Sequence, residues 1–452
     1  MGKRSIVCAV IALAFAGLLF TGARGSAEQK PTMAKSCALS GCHTPAEKVL
    51  RGNLAGLSWN AKTIQVNTGA PWLVKFGEDT KLTGAEKWSK IPREKEIAIT
   101  TIDKNGELYA VSVSVKTPVK IAPEKLVSVE EMTRLAAMGP EKGNFVLVDS
   151  RPAGKYSEGH IPGAITIFDA EFEKLKDRLP KEKDRLIVFY CAGPTCRLST
   201  SSARKAEQAG HTKVKVFIDG MPGWKKAGNL VLSSSYYLKD TMEKGIPFVL
   251  VDLRAADEAK KGHIAGAVSI AEKDIPQAKD RFPSDKSAPI ILYANDTQTV
   301  ADEFTIVRSW GYPNVSVLEG GMEAWKKVNG LVVANKDIPT KIVYAAKPGP
   351  GEISFDEFRK VLETKPADKL IVDLRDADEA EDGIFPGSKN VPLAELKARL
   401  SEIPKDKEII THCVTGVRAE MGYNILKDAG YKVRFLNAKI EFENGKYTIT
   451  KE

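Results

Sequence analysis

Three times along the chain a wholly apolar run ends in an acid, one residue and an arginine. The runs are Phe145-Val146-Leu147-Val148-Asp149-Ser150-Arg151, Phe248-Val249-Leu250-Val251-Asp252-Leu253-Arg254 and Leu370-Ile371-Val372-Asp373-Leu374-Arg375. Each is followed by a second run of the same kind: Leu186-Ile187-Val188-Phe189-Tyr190, Ile290-Ile291-Leu292-Tyr293 and Glu408-Ile409-Ile410-Thr411. Runs without alternation predict strands covered on both faces, which is the habit of parallel sheets. Helical patterns separate them, two opened by the capping sequences Ser128-Val129-Glu130-Glu131 and Ser354-Phe355-Asp356-Glu357. Strand and helix in alternation predict α/β units, each a mainly parallel sheet flanked by helices. Residues 52–120 read differently. Short β-favouring stretches at 63–66, 72–76, 97–100 and 108–113, with Asp103-Lys104-Asn105-Gly106 as a hairpin turn, predict a small all-β module, an antiparallel sheet or barrel. Nothing in it suggests chemistry, so a spacer or docking module is expected.

The repeat sets the domain boundaries. Units are expected at 124–232, 233–346 and 352–452, the last set off by Lys347-Pro348-Gly349-Pro350-Gly351. Cys191 lies 42 residues beyond Asp149, and the same step from Asp252 reaches Ala294. Cys413 lies 40 beyond Asp373. The middle unit therefore has no thiol where the others have one.

Charge adds little beyond this. The formal net charge of +9 falls to +6 without residues 1–27, which hold Lys3, Arg4 and Arg24 and no acid. Basic and acidic residues are interspersed, which argues against nucleic acid as a partner. The N-terminus changes the picture more. Lys3 and Arg4, an apolar core at 6–20 and the small residues Gly25-Ser26-Ala27 form a secretory signal over 1–27, and this signal is the expected extent of membrane contact. A periplasmic or otherwise extracytoplasmic protein is expected, its five remaining cysteines in an oxidising compartment. Within the segment 28–51, Cys37 and Cys42 have four residues between them and His43 follows at once. Two thiols and an adjacent imidazole suit covalent haem c, with His43 on the iron and Met33 the nearest candidate for the other axial position; a small disulfide suits the pair equally. With haem, a periplasmic redox partner is implied.

The chemistry is expected where the second apolar run meets a helix. In the third unit Cys413 precedes Val414, Thr415, Gly416, Val417 and Arg418, and a helical pattern opens behind them. Helix N-termini carry unpaired N–H groups and partial positive charge, which favour a thiolate and cradle an anion. Arg418 is the expected fork for an oxyanion. In the first unit the loop is Cys191, Ala192, Gly193, Pro194, Thr195, Cys196, Arg197, one residue longer before the arginine.

The triplicated unit resembles the rhodanese (sulfurtransferase) family over residues 124–452. The resemblance rests on the Asp-x-Arg strand ends, Gly159-His160-Ile161-Pro162-Gly163-Ala164 with its counterpart at 262–267, the cysteine loops, and the Gly-Met-x-x-Trp tails at 220–224 and 321–325. It implies three tandem rhodanese-like domains and attack by a thiolate on a sulfane donor such as thiosulfate or a low-molecular-weight persulfide, leaving a cysteine persulfide for a thiophilic acceptor. It makes Cys413 and Cys191 the nucleophiles, with Cys196 a second thiol that resolves a persulfide or closes a disulfide. The third unit lacks the histidine in Gly383-Ile384-Phe385-Pro386-Gly387-Ser388 and lacks the tryptophan tail. Cysteine, five residues, arginine in the first unit is also the spacing of rhodanese-related phosphatases and some arsenate reductases; the second thiol favours sulfur. His160, His263, the Asp–Arg pairs, Trp224 and Trp325 are expected to be structural. The rivals are a non-catalytic sulfur-binding protein and a haem-bearing electron-transfer protein.

Overall fold

The computed structural model describes residues 48–297, 300–334, 338–443 and 446–450. The signal at 1–27, Met33, and the Cys37, Cys42 and His43 group lie outside them. Among the described residues no helix is long and apolar enough to cross a membrane.

Residues 49–115 form a barrel-like sheet. Strands β1 (Val49–Ser58), β2 (Thr63–Asn67), β3 (Pro71–Lys75), β4 (Lys81–Thr83), β5 (Glu96–Lys104) and β6 (Glu107–Val115) stand in the order β3-β2-β1-β5-β6-β4. A bridge between Lys75 of β3 and Tyr109 of β6 closes the ring. Alternate side chains fill its interior, among them Leu50, Leu54, Ile64, Val66, Val74, Ile97, Ile99 and Val113. β1 and the short β4 are the strands of this sheet that sequence reasoning missed; in β1, Gly52 and Gly56 dilute the alternation.

The first repeat runs α1 (Val129–Lys142), β7 (Phe145–Asp149), α2 (Ala153–Glu158), β8 (Ala164–Thr166), α3 (Phe172–Leu175), β9 (Leu186–Tyr190), α4 (Leu198–Gln208), β10 (Val214–Phe217) and α5 (Gly220–Lys226). Its four strands are parallel, in the order β10-β9-β7-β8. The second repeat runs β11 (Leu232–Ser233), α6 (Ser235–Glu243), β12 (Val249–Asp252), α7 (Ala256–Lys261), β13 (His263–Ile264), β14 (Val268–Ser269), β15 (Ile290–Tyr293), α8 (Ala301–Ser309), β16 (Val315–Leu318), α9 (Gly321–Lys327) and β17 (Val332–Val333). Its sheet has the order β11-β16-β15-β12-β14. The third repeat runs α10 (Phe355–Thr364), β18 (Lys369–Asp373), α11 (Ala377–Glu381), β19 (Lys389–Asn390), β20 (Glu408–His412), α12 (Val417–Asp428), β21 (Val433–Phe435), β22 (Lys439–Glu443) and β23 (Lys446–Thr450). Its parallel sheet has the order β19-β18-β20-β21. Every repeat opens with a serine N-cap: Ser128, Ser234 and Ser354 accept the N–H of Glu131, Tyr237 and Glu357.

The first two repeats are fused rather than strung together. One apolar core runs from Val127 and Phe145 through Trp224 to Val249, Ile290 and Phe304. Leu232 pairs with Val317 of β16 and also bridges to His160 of the first repeat. The barrel, first in sequence, packs on the third repeat. Ala61 enters the core of that repeat beside Val372 and Val391, the Asn60 amide donates to Asp376 at 2.5 Å, and Lys397 pairs with Glu107. Gly56 lies directly against Val417: a Cβ there would sit 2.1 Å from Val417 Cγ1.

That contact gives a test of the docking. Gly56→Val should destabilise the chain by ~1–3 kcal/mol through overpacking, and Val417→Ala added to it should restore part of the loss. Urea denaturation of the two variants measures this, and a second substitution that gives nothing back would separate Gly56 from Val417.

Candidate functional site

In the third repeat β20 carries the chain to His412 and Cys413, and α12 begins at Val417. Gly416, at φ +82°, turns the backbone between them; a Cβ there would stand 2.6 Å from Asn437 Oδ1 in a conformation that only glycine adopts freely. The Cys413 thiol is buried beside Ala419, Phe435 and Tyr423, with Val414 to Val417 wrapped around the N-terminus of a 12-residue helix. The Ile440 N–H of β22 holds the Val414 carbonyl at 2.7 Å. In the other repeats the tail helix does the equivalent work: Met221 N–H holds the Cys191 carbonyl at 3.0 Å and Met322 N–H the Ala294 carbonyl at 2.9 Å. The missing Gly-Met-x-x-Trp tail is thus replaced by the β22–β23 hairpin.

Arg418 does not face the loop as an open fork. Its two terminal nitrogens donate to the Glu379 carboxylate at 2.6 and 2.8 Å, and one also reaches Asp376 at 3.2 Å. The guanidinium in turn holds the Glu379 carboxyl below its usual range. Held in this way, the guanidinium orients the first turn of α12, and its charge lies within electrostatic reach of Cys413. Glu379 escaped sequence reasoning, although its place six residues after Asp373, at the start of α11, was readable. His412 is buried between Phe385 and Asp373, and burial is the main cause that pushes it down to about 4, so the ring is neutral.

The first repeat brings Cys191 and Cys196 together as free thiols. Cys191 is 1% exposed; its Sγ lies 3.2 Å from Ser199 Oγ and 3.6 Å from the Cys196 carbonyl. Burial first, and then the neighbouring Cys196, push this thiol well up. Cys196 is half-buried at the N-terminus of α4. A hydrogen bond from the Cys191 thiol is the largest cause lowering it, the N–H groups of Leu198 and Ala192 and the charge of Lys116 add to it, and the result is about 6. Lys116 belongs to the segment leaving the barrel, which is pinned by the Val119 N–H on the Pro194 carbonyl at 2.8 Å. Ala192 and Arg197 are exposed, Thr195 is half-buried and Gly193 is buried with φ +106°. Arg197 thus sits at the rim, as the N-cap of α4, and not inside a phosphate-sized ring. Ser199 and Lys116 were both missed: the first was visible as a serine three residues past Cys196, the second had no local signal.

The second repeat keeps this frame without the thiol. Ala294 is buried, Asn295 donates to Glu258 at 2.7 Å and Thr297 accepts the Gly320 N–H at 2.7 Å. His160 and His263 place Nδ1 2.9 and 3.0 Å from the carbonyls of Tyr156 and Ala259. Trp224 and Trp325 are buried and donate to Leu230 and Leu331. Among the described residues no cluster of three or more His, Cys, Asp or Glu could hold a metal ion.

Comparison with known proteins matches the rhodanese-like domain model to residues 131–227, 234–328 and 354–441. Among curated proteins the chain is similar to the HTH-type transcriptional regulator Rv0324 of Mycobacterium tuberculosis, 43% identical over 108 residues that make 24% of this chain and 44% of that protein. It is also similar to a sulfurtransferase of Allochromatium vinosum, 35% identical over 72 residues, 16% of this chain and 66% of that one. The chain thus covers less than two thirds of either relative. Among solved structures, the thiosulfate sulfurtransferase of Pseudomonas aeruginosa shares 17% identity over 71% of this chain and 68% of its own, with a TM-score of 0.21. With three matched units spread over more than half its length, the chain belongs to the rhodanese-like domain family.

Proposed function

We propose that the chain is an exported sulfurtransferase that moves sulfane sulfur, from thiosulfate or a small persulfide, to a thiophilic acceptor through a persulfide on Cys413. The observation that carries this reading is the placement of Cys413 at the end of a buried parallel strand, with its loop closed around the N-terminus of α12. The first-turn N–H groups of a helix have no intrahelical acceptor, so they and the helix dipole favour a sulfur anion there. The thiolate attacks the outer sulfur of the donor, the sulfur–sulfur bond breaks, and the electron pair leaves with sulfite or the parent thiol. The acceptor then takes the outer sulfur and regenerates the thiolate. Charge on the donor and on the persulfide falls to backbone N–H groups and the helix terminus, with Arg418 within electrostatic reach of Cys413. The similarity to a sulfurtransferase supports the reaction class, and Lys3, Arg4 and the apolar core at 6–20 support export. The absence of a thiol at Ala294 gives the second repeat a structural part, as the partner that completes the core of the first.

Cys413→Ala should lower thiosulfate:cyanide sulfur transfer by roughly a hundredfold or more, with Cys191→Ala much milder; intact turnover in Cys413→Ala would place the activity in the first repeat. Ala294→Cys should acquire no persulfide, since the Glu258 carboxylate at the neighbouring Asn295 disfavours a thiolate. Strong sulfur labelling at residue 294 would contradict this. For the first repeat, a thiol lowered to about 6 is ionised above that pH and protonated below it. Iodoacetamide should therefore modify Cys196 with a rate that rises through about pH 6, whereas Cys191 should stay slow. A midpoint near that of an ordinary thiol, about 8.5, would refute the lowered value.

A further inference from the structure

The barrel meets the third repeat at the first turn of α12. Gly56 of β1 lies against Val417, the buried Gln65 of β2 faces Glu420, and between them the β1–β2 turn presents Asn60. Asn60 is exposed, yet its turn is well anchored. Its neighbour Ala61 is buried in the core of the third repeat, with its N–H on Ser58 Oγ at 3.3 Å and its carbonyl accepting the Lys75 ammonium at 3.0 Å. The Asn60 amide donates to Asp376 Oδ2 at 2.5 Å, and Arg418 donates to that same oxygen at 3.2 Å. The backbone N–H of Asp376 donates to Glu379 Oε2 at 2.9 Å, an oxygen that also accepts Arg418 at 2.6 Å. Asn60, Asp376, Glu379 and Arg418 thus form one network, which starts on the barrel and ends at a guanidinium within electrostatic reach of Cys413. The other repeats are not built for it. Pro152 and Lys155 stand at the positions of Asp376 and Glu379 in the first, and Ala255 and Glu258 in the second, whose loop has no arginine.

We infer that Asn60, a residue of the barrel, is a positioning residue of the third sulfur site: through Asp376 it fixes the Arg418 guanidinium beside Cys413 and so sets how tightly an anionic sulfur donor is held. This rests on the sulfur-transfer reading at Cys413 and gives the barrel a part in it. The argument turns on one shared oxygen. A carboxylate on a rotatable side chain closes on a nearby guanidinium when nothing else holds it, because the paired fork is the strong geometry. The Asn60 amide prevents this: with Oδ2 held at 2.5 Å, Asp376 meets Arg418 through one nitrogen only, and at the longer distance of 3.2 Å. Glu379 is left as the close partner. Without the amide, Asp376 closes on Arg418, draws the guanidinium toward α11 and quenches more of its charge at Cys413. Asn60 touches neither donor nor sulfur, so its influence falls on donor binding and not on the bond-breaking step.

The test uses the full chain carrying Cys191→Ala, so that turnover belongs to Cys413, with thiosulfate as donor and cyanide as acceptor. Asn60→Ala should raise KM for thiosulfate by roughly three- to tenfold, the size of one hydrogen bond, and leave kcat within about twofold. Asn60→Asp, which drives the Asp376 carboxylate toward Arg418 by like charge, should raise KM at least as much. Asp376→Ser removes the shared carboxylate and keeps a helix-capping side chain at the start of α11. On that chain Asn60→Ala should change KM by less than about twofold, since the two residues act as a unit. An unchanged KM in Asn60→Ala, a fall in kcat at constant KM, or the same rise in KM on the Asp376→Ser chain overturns the inference and leaves the sulfur-transfer reading standing. Absence of turnover in the Cys191→Ala parent overturns the Cys413 reading and this inference with it.

Discussion

A buried carboxylate held by an arginine two residues later is the constraint on which each repeat is built. Asp149, Asp252 and Asp373 are fully buried at the ends of β7, β12 and β18. In every case the backbone N–H and the Nε of the arginine donate to one carboxylate oxygen and a terminal nitrogen donates to the other at 2.6 Å. The same terminal nitrogen also reaches the carbonyl of Gly159, Gly262 or Gly383 at 2.6–2.7 Å. Removing one partner of such a pair leaves an unpaired buried charge, at a cost of about 3–5 kcal/mol. The pair therefore fixes where the first strand stops and where the following loop crosses the sheet. The second strand, running beside the first, then delivers residue 191, 294 or 413 to the same place.

On that frame the three copies vary what can vary. The hydroxyl oxygens of Tyr190 and Tyr293 accept the N–H of Ile161 and Ile264, and the arginines lie 5.8 and 5.7 Å from their rings. His412 replaces the tyrosine in the third copy, and Phe385 stands where the isoleucines do. Phe442, from the hairpin that replaces the tail helix, then supplies an aromatic face 4.3 Å from Arg375. Three departures that look unrelated along the chain are one local repacking around a conserved ion pair of the fold. Such repacking changes what lies behind the loop and leaves Cys413 at the helix terminus.

What could be read in the sequence is what is local. Uninterrupted apolar runs gave the parallel strands, the constant step from Asp149 and Asp252 exposed the missing thiol at Ala294, and the serine caps at 128 and 354 marked helix starts. Ser234 passed unnoticed because Ser234-Ser235-Tyr236-Tyr237 has no acid three residues on, though its hydroxyl caps α6 in the same way. The carboxylate partners of Arg418 were not readable, because spacing places a residue on a loop without saying which way its charge is spent. Glu379 and Asp376, brought alongside by the fold, decide that. β1 was hidden by its glycines, one of which exists for Val417, more than three hundred residues away.

The barrel shows why position along the chain is a poor guide to position at the site. Its strand β1 lies against Val417 at the start of α12, and its exit segment carries Lys116 to the loop of the first repeat. One module thus borders both loops that bear thiols, by apolar packing at one and by charge at the other. These contacts act differently on the chemistry. Packing at Val417 fixes the geometry of a helix terminus whose N–H groups must point at sulfur, and geometry of that kind is insensitive to salt. A lysine near a half-buried thiol acts through a field that salt screens over about 8–10 Å. A barrel without a cysteine or a histidine among its strands thus touches both loops that bear thiols.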